Sequence, residues 1–393
     1  MIKIVDSIMG SGKTSWAIQF INENPEKSFI FVTPFLAEIQ RIKEACPATG
    51  FCEPLQLGEG KLNSFHHLLR EGRNIATTHV LFARATEETR QLIEAQGYVL
   101  IVDEALTVLE EIDLKKHDLE NLLDHSAYID DSGYLVWYNK EYSGRFDDIK
   151  SMVTNFKVFV SSIGLVKTIP PETFTCFREV YSLTYMFACQ IQRYYFDLFQ
   201  IPYSYWKVCK SGDRYELIEH NFKPDDTLGI KINICQNSKL NAIGDKETAL
   251  SKNWYMKNER TGLKVLKNHT YNFFHNLMKS PGHLNLWTCF KKYKDKLRGK
   301  GYSKGFLPAN ARATNDYKST TSIAYLVNRY VRPSIVQLFA SYGIKVDEDQ
   351  YALSEMLQFI FRSNVREGGE VCLYIPSSRM RSLLTKWLQQ SGC

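Results

Sequence analysis

Residues 2–22 constrain this chain more than any other stretch. A short apolar, β-branched run, Ile2–Val5, leads into Ser7-Ile8-Met9-Gly10-Ser11-Gly12-Lys13-Thr14 and then into a helix-like segment, Ser15–Asn22. A buried strand that turns through glycines into a helix is the first half of a parallel βαβ unit, because the chain must recross the sheet before its next parallel strand. The composition of the turn adds chemistry. Gly10 and Gly12 let backbone N–H groups approach an anion, and the helix N-terminus adds a favourable dipole. Lys13 suits the β- and γ-phosphates of a nucleotide, and Thr14 can set its hydroxyl on Mg²⁺. Met9, Gly10, Ser11, Gly12, Lys13, Thr14 and Ser15 are therefore the expected nucleotide-binding loop. Ser7 stands where such loops carry a leading glycine, and a positive φ there would cost it more than Gly.

The same alternation continues downstream. Phe29–Val32, Asn74–Thr77 and Tyr98–Val102 read as buried parallel strands, with helix-like Ala37–Ala45 between them. From Leu106 to about Phe177 the pattern is less regular. Leu106–Leu123 and Arg145–Phe156 look helical and Tyr134–Tyr138 extended, so residues 106–178 read as an insertion. A strand at Glu179–Leu183 and a helix at Ala188–Phe199 close this part. A boundary near Gln200–Pro202 then divides a first lobe, 1–200, from a second, 201–393. The second opens with a hairpin over Ser211-Gly212 and carries a polar helical insertion near 221–281. Strand and helix patterns return at Leu284–Phe290, Ser322–Tyr342 (helical), Ala352–Asn364 (helical), Glu370–Ile375 and Ser378–Leu388. The expected fold is α/β: two lobes with parallel sheets, each carrying insertions.

Two further sets carry chemistry. Tyr98–Val102 ends in Asp103-Glu104, the arrangement in which the first acid holds Mg²⁺ and the second orients and deprotonates an attacking water. Its strand and the glycine loop would both end at the carboxyl edge of one sheet, where such sheets bind ligands. Far downstream, Gln358, Arg362 and Arg366 are spaced i, i+4 and i+8, one face of a helix if the helix continues. Arg binds phosphoryl oxygens bidentately. The basic cluster Lys291, Lys292, Lys294, Lys296, Arg298 and Lys300, with Tyr293 and Tyr302, would suit a single strand: charge along the phosphates and a ring to stack a base.

In order, Gly12-Lys13-Thr14, Thr33-Pro34-Phe35, Thr77-Thr78-His79, Asp103-Glu104-Ala105, Leu183-Thr184 and Gln358…Arg362…Arg366 resemble superfamily 2 helicases. The likeness is greatest to the small, divergent DEAD/DEAH-like helicases of bacteriophages and prophages, and it spans most of the chain. It implies two RecA-like P-loop lobes, ATP and Mg²⁺ as ligands, and a nucleic-acid strand as partner. On that likeness Thr33, Pro34, Thr77 and Thr78 would meet the strand's phosphates. Gln358 would sense the γ-phosphate, and Arg362 and Arg366 would be arginine fingers. Ala309–Asp316 would be the segment linking ATP to nucleic acid. The Arg362–Arg366 spacing is one residue longer than the family's, and Leu183-Thr184-Tyr185 matches its coupling motif only in part.

Charge points the same way. Residues 1–200 carry a net charge of −8 and residues 201–393 a net +14, so the second half is the one suited to a polyanion. The nine Cys include no Cys-x-x-Cys pair, which suits scattered reduced thiols better than zinc. No run approaches the roughly 18–20 apolar residues of a membrane span, and residue 2 onward reads as strand, not as a secretory signal. A cytoplasmic location (the host's, for a phage protein) and no membrane partner are therefore expected. The expected function is an ATP-dependent helicase or translocase acting on nucleic acid, single-stranded DNA foremost and RNA as the other candidate, in company with replication proteins. The alternatives are an ATP-gated clamp or loader that does not unwind, and a P-loop kinase of a small acceptor.

Overall fold

The structure, a computed structural model, describes residues 1–56, 58, 60–161, 164–220, 230–309 and 316–390. It is a mixed α/β chain that divides into two compact units. The first comprises Met1–Asn221 and Arg332–Val346, the second Phe222–Val331 and Asp347–Cys393. Among the described residues, no helix is long and apolar enough to cross a membrane.

The first unit is built on strands β1 (Ile2–Asp6), β2 (Phe29–Thr33), β3 (Ile75–Thr78) and β4 (Val99–Asp103). After an insertion come β10 (Glu179–Thr184), β11 (Tyr203–Ser211) and β12 (Arg214–Glu219). These seven form one sheet in the order β12-β11-β1-β10-β4-β2-β3. Every neighbouring pair is parallel except β11–β12. Central strands such as β2 (FIFVT) are buried along their whole length, as expected for a sheet covered on both faces. The helix α1 (Lys13–Asn22) covers one face with Trp16, Ala17 and Ile21, against Val5, Phe29, Phe31, Ile101 and Leu183.

Between β4 and β10 lies the expected insertion. Its three-stranded sheet, β5 (Leu109–Ile112), β8 (Lys157–Ser161) and β9 (Gly164–Thr168), is antiparallel and accompanied by the hairpin β6 (Ala127–Ile129)–β7 (Leu135–Trp137). The helices Lys116–His125 and Asp147–Asn155 close over a core of Leu122, Ala127, Ile149, Val158 and Leu165. The stretch expected to be one helix, Leu106–Leu123, is split into β5 and Lys116–His125, because the β5 edge pairs with β9.

Two expectations about organisation are corrected here. The hairpin β11–β12 does not open the second lobe: β11 lies beside β1, with Val5 opposite Trp206. The boundary therefore falls near 221, not 200. The stretch Ser322–Tyr342 is not one helix either. It is strand β15 (Ser322–Tyr325), an extended link, and the helix Pro333–Ser341. Pro333 opens that helix because its missing N–H would be unsatisfied there anyway. The helix belongs to the first unit and buries Ile335, Leu338 and Phe339 on the insertion's sheet.

The second unit has a four-stranded parallel sheet, β13 (Ile232–Ile234), β14 (Asn285–Thr288), β15 and β16 (Val371–Tyr374), in the order β13-β16-β15-β14. Helices Lys252–Lys257 and Gly262–Asn272 precede β14 within the expected insertion; Glu348–Ile360 and Ser378–Gln390 flank β16. Arg379 ties its loops together. It donates to Asp349 (2.7 Å), to the Asn328 side chain (2.8 Å) and to the carbonyls of Arg329 (2.7 Å) and Glu348 (3.0 Å).

Candidate nucleotide site

β1 ends in a loop whose shape follows from its residues. Gly10 and Gly12 have φ of 88° and 92°, values an L side chain rarely adopts. Gly12 is also crowded: a Cβ there would lie 2.3 Å from Cε1 of Tyr215, which sits on β12. Ser7 is not in the left-handed region, so the cost expected for it does not arise. It is buried and belongs to the sheet. Its N–H donates to the Thr184 carbonyl (3.1 Å), and its hydroxyl accepts from the Val208 N–H (2.9 Å). A glycine could not make the second bond.

Lys13 opens α1 and turns its ammonium back over the loop, donating to the carbonyls of Ser7 and of Ile8 (2.9 Å). Ser11 has a buried hydroxyl without a hydrogen-bond partner. Thr14 and Ser15 are partly exposed in the first turn of the helix. The loop thus gathers an ammonium, hydroxyls and N–H groups, a donor set that fits a polyphosphate.

β10 lies between β1 and β4. Two strand spacings, about 10 Å, therefore separate the glycine loop from the end of β4, room for a terminal phosphate and its counterion. Asp103 ends β4. Burial pushes its carboxyl up to about 7, and the Glu104 and Glu38 charges add to this, while Lys13 and Arg41 pull it down. A carboxyl so raised is one whose charge waits for a cation. Glu104 has a left-handed φ of 64° and is pinned there by its N–H to the Leu183 carbonyl (2.9 Å). Strain of this kind in a non-glycine residue persists only where the surroundings fix it. Asp103 and Thr14 are the residues here that suit Mg²⁺.

Of the other residues around the site, His79 and Thr184 lie in motifs named above, whereas Asp6 and Gln190 carried no sequence signal. The buried Asp6 carboxylate accepts the N–H groups of Met186 (2.8 Å) and Phe187 (2.9 Å), fixing the loop after β10. His79 Nε2 meets the Asp103 carbonyl at 2.9 Å. The Thr184 hydroxyl pairs with the Gln190 amide (2.9 Å), whose nitrogen also reaches the Tyr185 carbonyl (2.7 Å). A single acid or amide in a chain of this length has no periodicity to betray such a role.

The remaining expected residues are distributed unevenly. Thr33 and Thr77 are buried, at 0% and 1% exposure, so their side chains do not present a face to a strand. Pro34 and Thr78 are partly exposed, and Thr78 caps the helix His79–Phe82. In the second unit the helix bearing Gln358 ends at Ile360. Arg362 lies just beyond it, buried, donating from Nε to the Gln358 carbonyl (3.1 Å). Arg366 is exposed on the separate turn Asn364–Glu367. The single helical face expected for the three is therefore corrected to a helix end followed by a turn. Lys291 and Lys292 are exposed, whereas Lys294 is half-buried with its Nζ 5.0 Å from the Phe306 ring. Tyr293 and Tyr302 are buried, at 2% and 1% exposure, so neither ring is free to stack a base. In the segment Ala309–Asp316, residues 310–315 lie outside the described residues.

Comparison with solved structures places the fold. Xpd4 of S. tokodaii aligns over 98% of this chain and 94% of its own, with a TM-score of 0.51 and 11% identity. An XPD helicase aligns over 100% of this chain and 95% of its own, with a TM-score of 0.47 and 10% identity. At such identities the likeness is one of fold, and the chain is similar in fold to two-lobe XPD helicases. Residues 226–388 match the YonV C-terminal Rossmann-like domain. The SPbeta prophage-derived uncharacterized protein YonV of Bacillus subtilis (strain 168) is 42% identical over 99% of this chain and 98% of its own length. This chain therefore belongs to the YonV family.

Proposed function

We propose that this protein is an ATP-dependent helicase or translocase that couples ATP hydrolysis to movement along nucleic acid, single-stranded DNA foremost. One observation carries the reading: a glycine loop with Lys13 and an Asp103-Glu104 pair follow two parallel strands of one sheet, with a single strand between them. Met9–Ser15 hold the phosphates, and Lys13 exchanges its bonds to the loop carbonyls for bonds to phosphate oxygens. Thr14 and Asp103 hold Mg²⁺, which when bound neutralises charge on the phosphates. Glu104 orients the attacking water and accepts its proton. Gln358 senses the γ-phosphate, and Arg362 and Arg366 stabilise charge on the transferring phosphoryl group. Pro34 and Thr78 contact the strand on the first unit, Lys291 and Lys292 on the second. The fold shared with XPD helicases supports a nucleic-acid motor, and the prophage origin of the YonV relative supports a role in phage DNA replication.

The test is phosphate release from ATP with no polymer, single-stranded DNA, duplex DNA and RNA, beside Lys13→Ala and Arg362→Ala. Several-fold stimulation by one polymer, lost in both variants, is the expected result. Hydrolysis that is flat across all polymers, or that survives Arg362→Ala, replaces the motor with a clamp. Phosphate appearing on an added nucleoside replaces it with a kinase.

A further inference from the structure

The second unit's positive charge is concentrated in one stretch. Residues 252–304 contain thirteen Lys and Arg and two acids, Glu259 and Asp295. The helices Lys252–Lys257 and Gly262–Asn272 and the turn and helix spanning Lys291–Leu297 come from separate parts of the stretch, yet they bury one shared core. Tyr255, Leu263, Leu266, Tyr293 and Leu297 belong to it, with the rings of Tyr255 and Tyr293 5.0 Å apart. These elements turn their apolar sides to one core and their lysines outward, and Glu259, just after the first helix, meets Lys296 on the last and lies near Lys292. Lys252, Lys257, Lys264, Lys291, Lys292 and Lys296 are all exposed. Both acids are already engaged by cations: Glu259 by Lys296, Asp295 by Arg298 at 3.4 Å. The remaining charge on the face is positive.

The face also lacks something. In residues 252–304 every aromatic side chain is buried or half-buried: Tyr293 and Tyr302 lie in the core, and the half-buried Tyr271 stacks on His275 at 4.9 Å. Proteins that hold single strands pair their cations with rings that stack unpaired bases. A face of lysines without free rings can hold phosphates but not bases, which matches a duplex, whose bases are stacked inside and whose two backbones lie outside. Met256 and Val265 are exposed singly among the lysines, and scattered apolar side chains are ordinary on any surface.

We infer that the part of this face carried by the two helices, with Lys252, Lys257 and Lys264, is a docking surface for the backbone of duplex nucleic acid, distinct from Lys291 and Lys292, which contact the single strand. The inference deepens the motor reading and rests on it for its purpose, since a helicase must hold the duplex it opens, but binding at the face does not require hydrolysis. The test uses the full chain with Lys252→Gln, Lys257→Gln and Lys264→Gln combined. Gln keeps the helices and removes three charges. Affinity for a blunt DNA duplex, a blunt RNA duplex and a single strand is measured by fluorescence anisotropy across a salt series. Vesicles of phosphatidylcholine with phosphatidylserine and a polyglutamate peptide serve as competitors. The expected result is a loss of duplex affinity of about tenfold or more, with the log–log salt slope shallower by about 3. Single-strand affinity and hydrolysis without polymer stay unchanged.

Which duplex is affected more names the polymer. An equal loss for single strand and duplex overturns the inference and makes the face part of the strand track. So does an unchanged duplex affinity, or displacement of the duplex by vesicles or polyglutamate at lower charge concentration than by DNA. Lys13→Ala separates the two readings: duplex binding that persists in Lys13→Ala and weakens in the triple variant supports the face even if no polymer stimulates hydrolysis.

Discussion

Gly12→Ala tests the reading of the nucleotide loop most directly. The substitution meets two obstacles that the structure separates. The first is backbone: φ at Gly12 is 92°, and holding an L residue in left-handed territory costs about 1–2 kcal/mol. The second is Tyr215. The new methyl would sit 2.3 Å from Cε1, 2.9 Å from Cδ1 and 3.1 Å from Cζ, so ring or loop must move by about 1 Å to reach ordinary contact. The backbone of Tyr215 is held in place, because the Gln19 amide on α1 accepts its N–H (2.9 Å) and donates to its carbonyl (3.2 Å), so relief must come from the ring or from the loop. The helix that follows Gly12 thus holds the residue that crowds it. Overpacking at such a site costs about 1–3 kcal/mol, for a total of about 2–5 kcal/mol in Gly12→Ala. In a Tyr215→Ala background only the backbone part should remain, so urea unfolding of the four proteins should give a coupling energy of about 1–3 kcal/mol. Nucleotide affinity, followed with a fluorescent ATP analogue, should recover partly in the double variant. Equal costs of Gly12→Ala in both backgrounds would refute the argument, since the ring would then play no part.

Ser7→Gly restores the glycine usual in such loops, yet it should destabilise the protein by about 1–3 kcal/mol in thermal unfolding, because the buried Val208 N–H loses its acceptor; nucleotide affinity should not improve. For Asp103 the folded carboxyl titrates near 7, above its ordinary 3.8. Its contribution is therefore fully present below pH 4 and is lost as pH rises through 7. Asp103→Asn, which cannot titrate, should make the metal-free protein more stable than wild type at pH 8, by about 1–3 kcal/mol once solvent at the partly exposed edge is allowed for. It should show little advantage at pH 4, and urea midpoints at the two pH values check this. Arg379→Met should cost about 3–5 kcal/mol by thermal unfolding, since it leaves Asp349 and three oxygen acceptors without their shared donor. A fragment 1–221 should unfold well below a version in which residues 332–346 are appended by a flexible linker, because burial of Ile335, Leu338 and Phe339 is worth about 1.5–3 kcal/mol each.

The parts of the fold legible in the sequence are those whose signal is local. Strands such as Phe29–Val32 and Tyr98–Val102 are continuous apolar runs because helices cover both sheet faces, and their carboxyl ends place Gly12 and Asp103 without further information. What was illegible depended on partners distant in the chain. β12 alternates as Arg214-Tyr215-Glu216-Leu217-Ile218-Glu219, a pattern equally good for an independent hairpin. The bonds from Gln19 and from Arg214 to Glu23, with Tyr215 and Leu217 packed on the core under α1, show that it flanks α1. The shift in charge near residue 200 reports surface, not sheet membership, and so misplaced the boundary. Thr33 and Tyr293 illustrate the same limit from the other side. Threonine is at home inside a sheet and tyrosine inside a core, so residue type alone could not separate contact from packing. Arg366 fits the helical face by spacing, but the helix ends at Ile360, before Arg362, and a spacing of eight marks a face only while the helix lasts.

The helix Pro333–Ser341 ties the two stretches of the first unit together. The stretch matched to the YonV C-terminal Rossmann-like domain, 226–388, is continuous in sequence and includes this helix, but the helix is packed in the first unit. Its start is held by Glu111, which pairs with Arg332 and accepts from the Ser334 hydroxyl. Its apolar side meets Tyr194, whose ring lies 5.7 Å from that of Phe339, and its end meets Phe159, 6.0 Å from Tyr342. A change in any of these first-unit residues must therefore be answered within 332–346, although the chain that carries those residues leaves and re-enters the second unit at positions that Arg379 clasps together, Asn328–Arg329 and Glu348–Asp349. The two units are thus not exchangeable at a single junction. A chimaera cut at 221 keeps both hydrophobic cores only if the segment 332–346 is taken from the same parent as the insertion it covers.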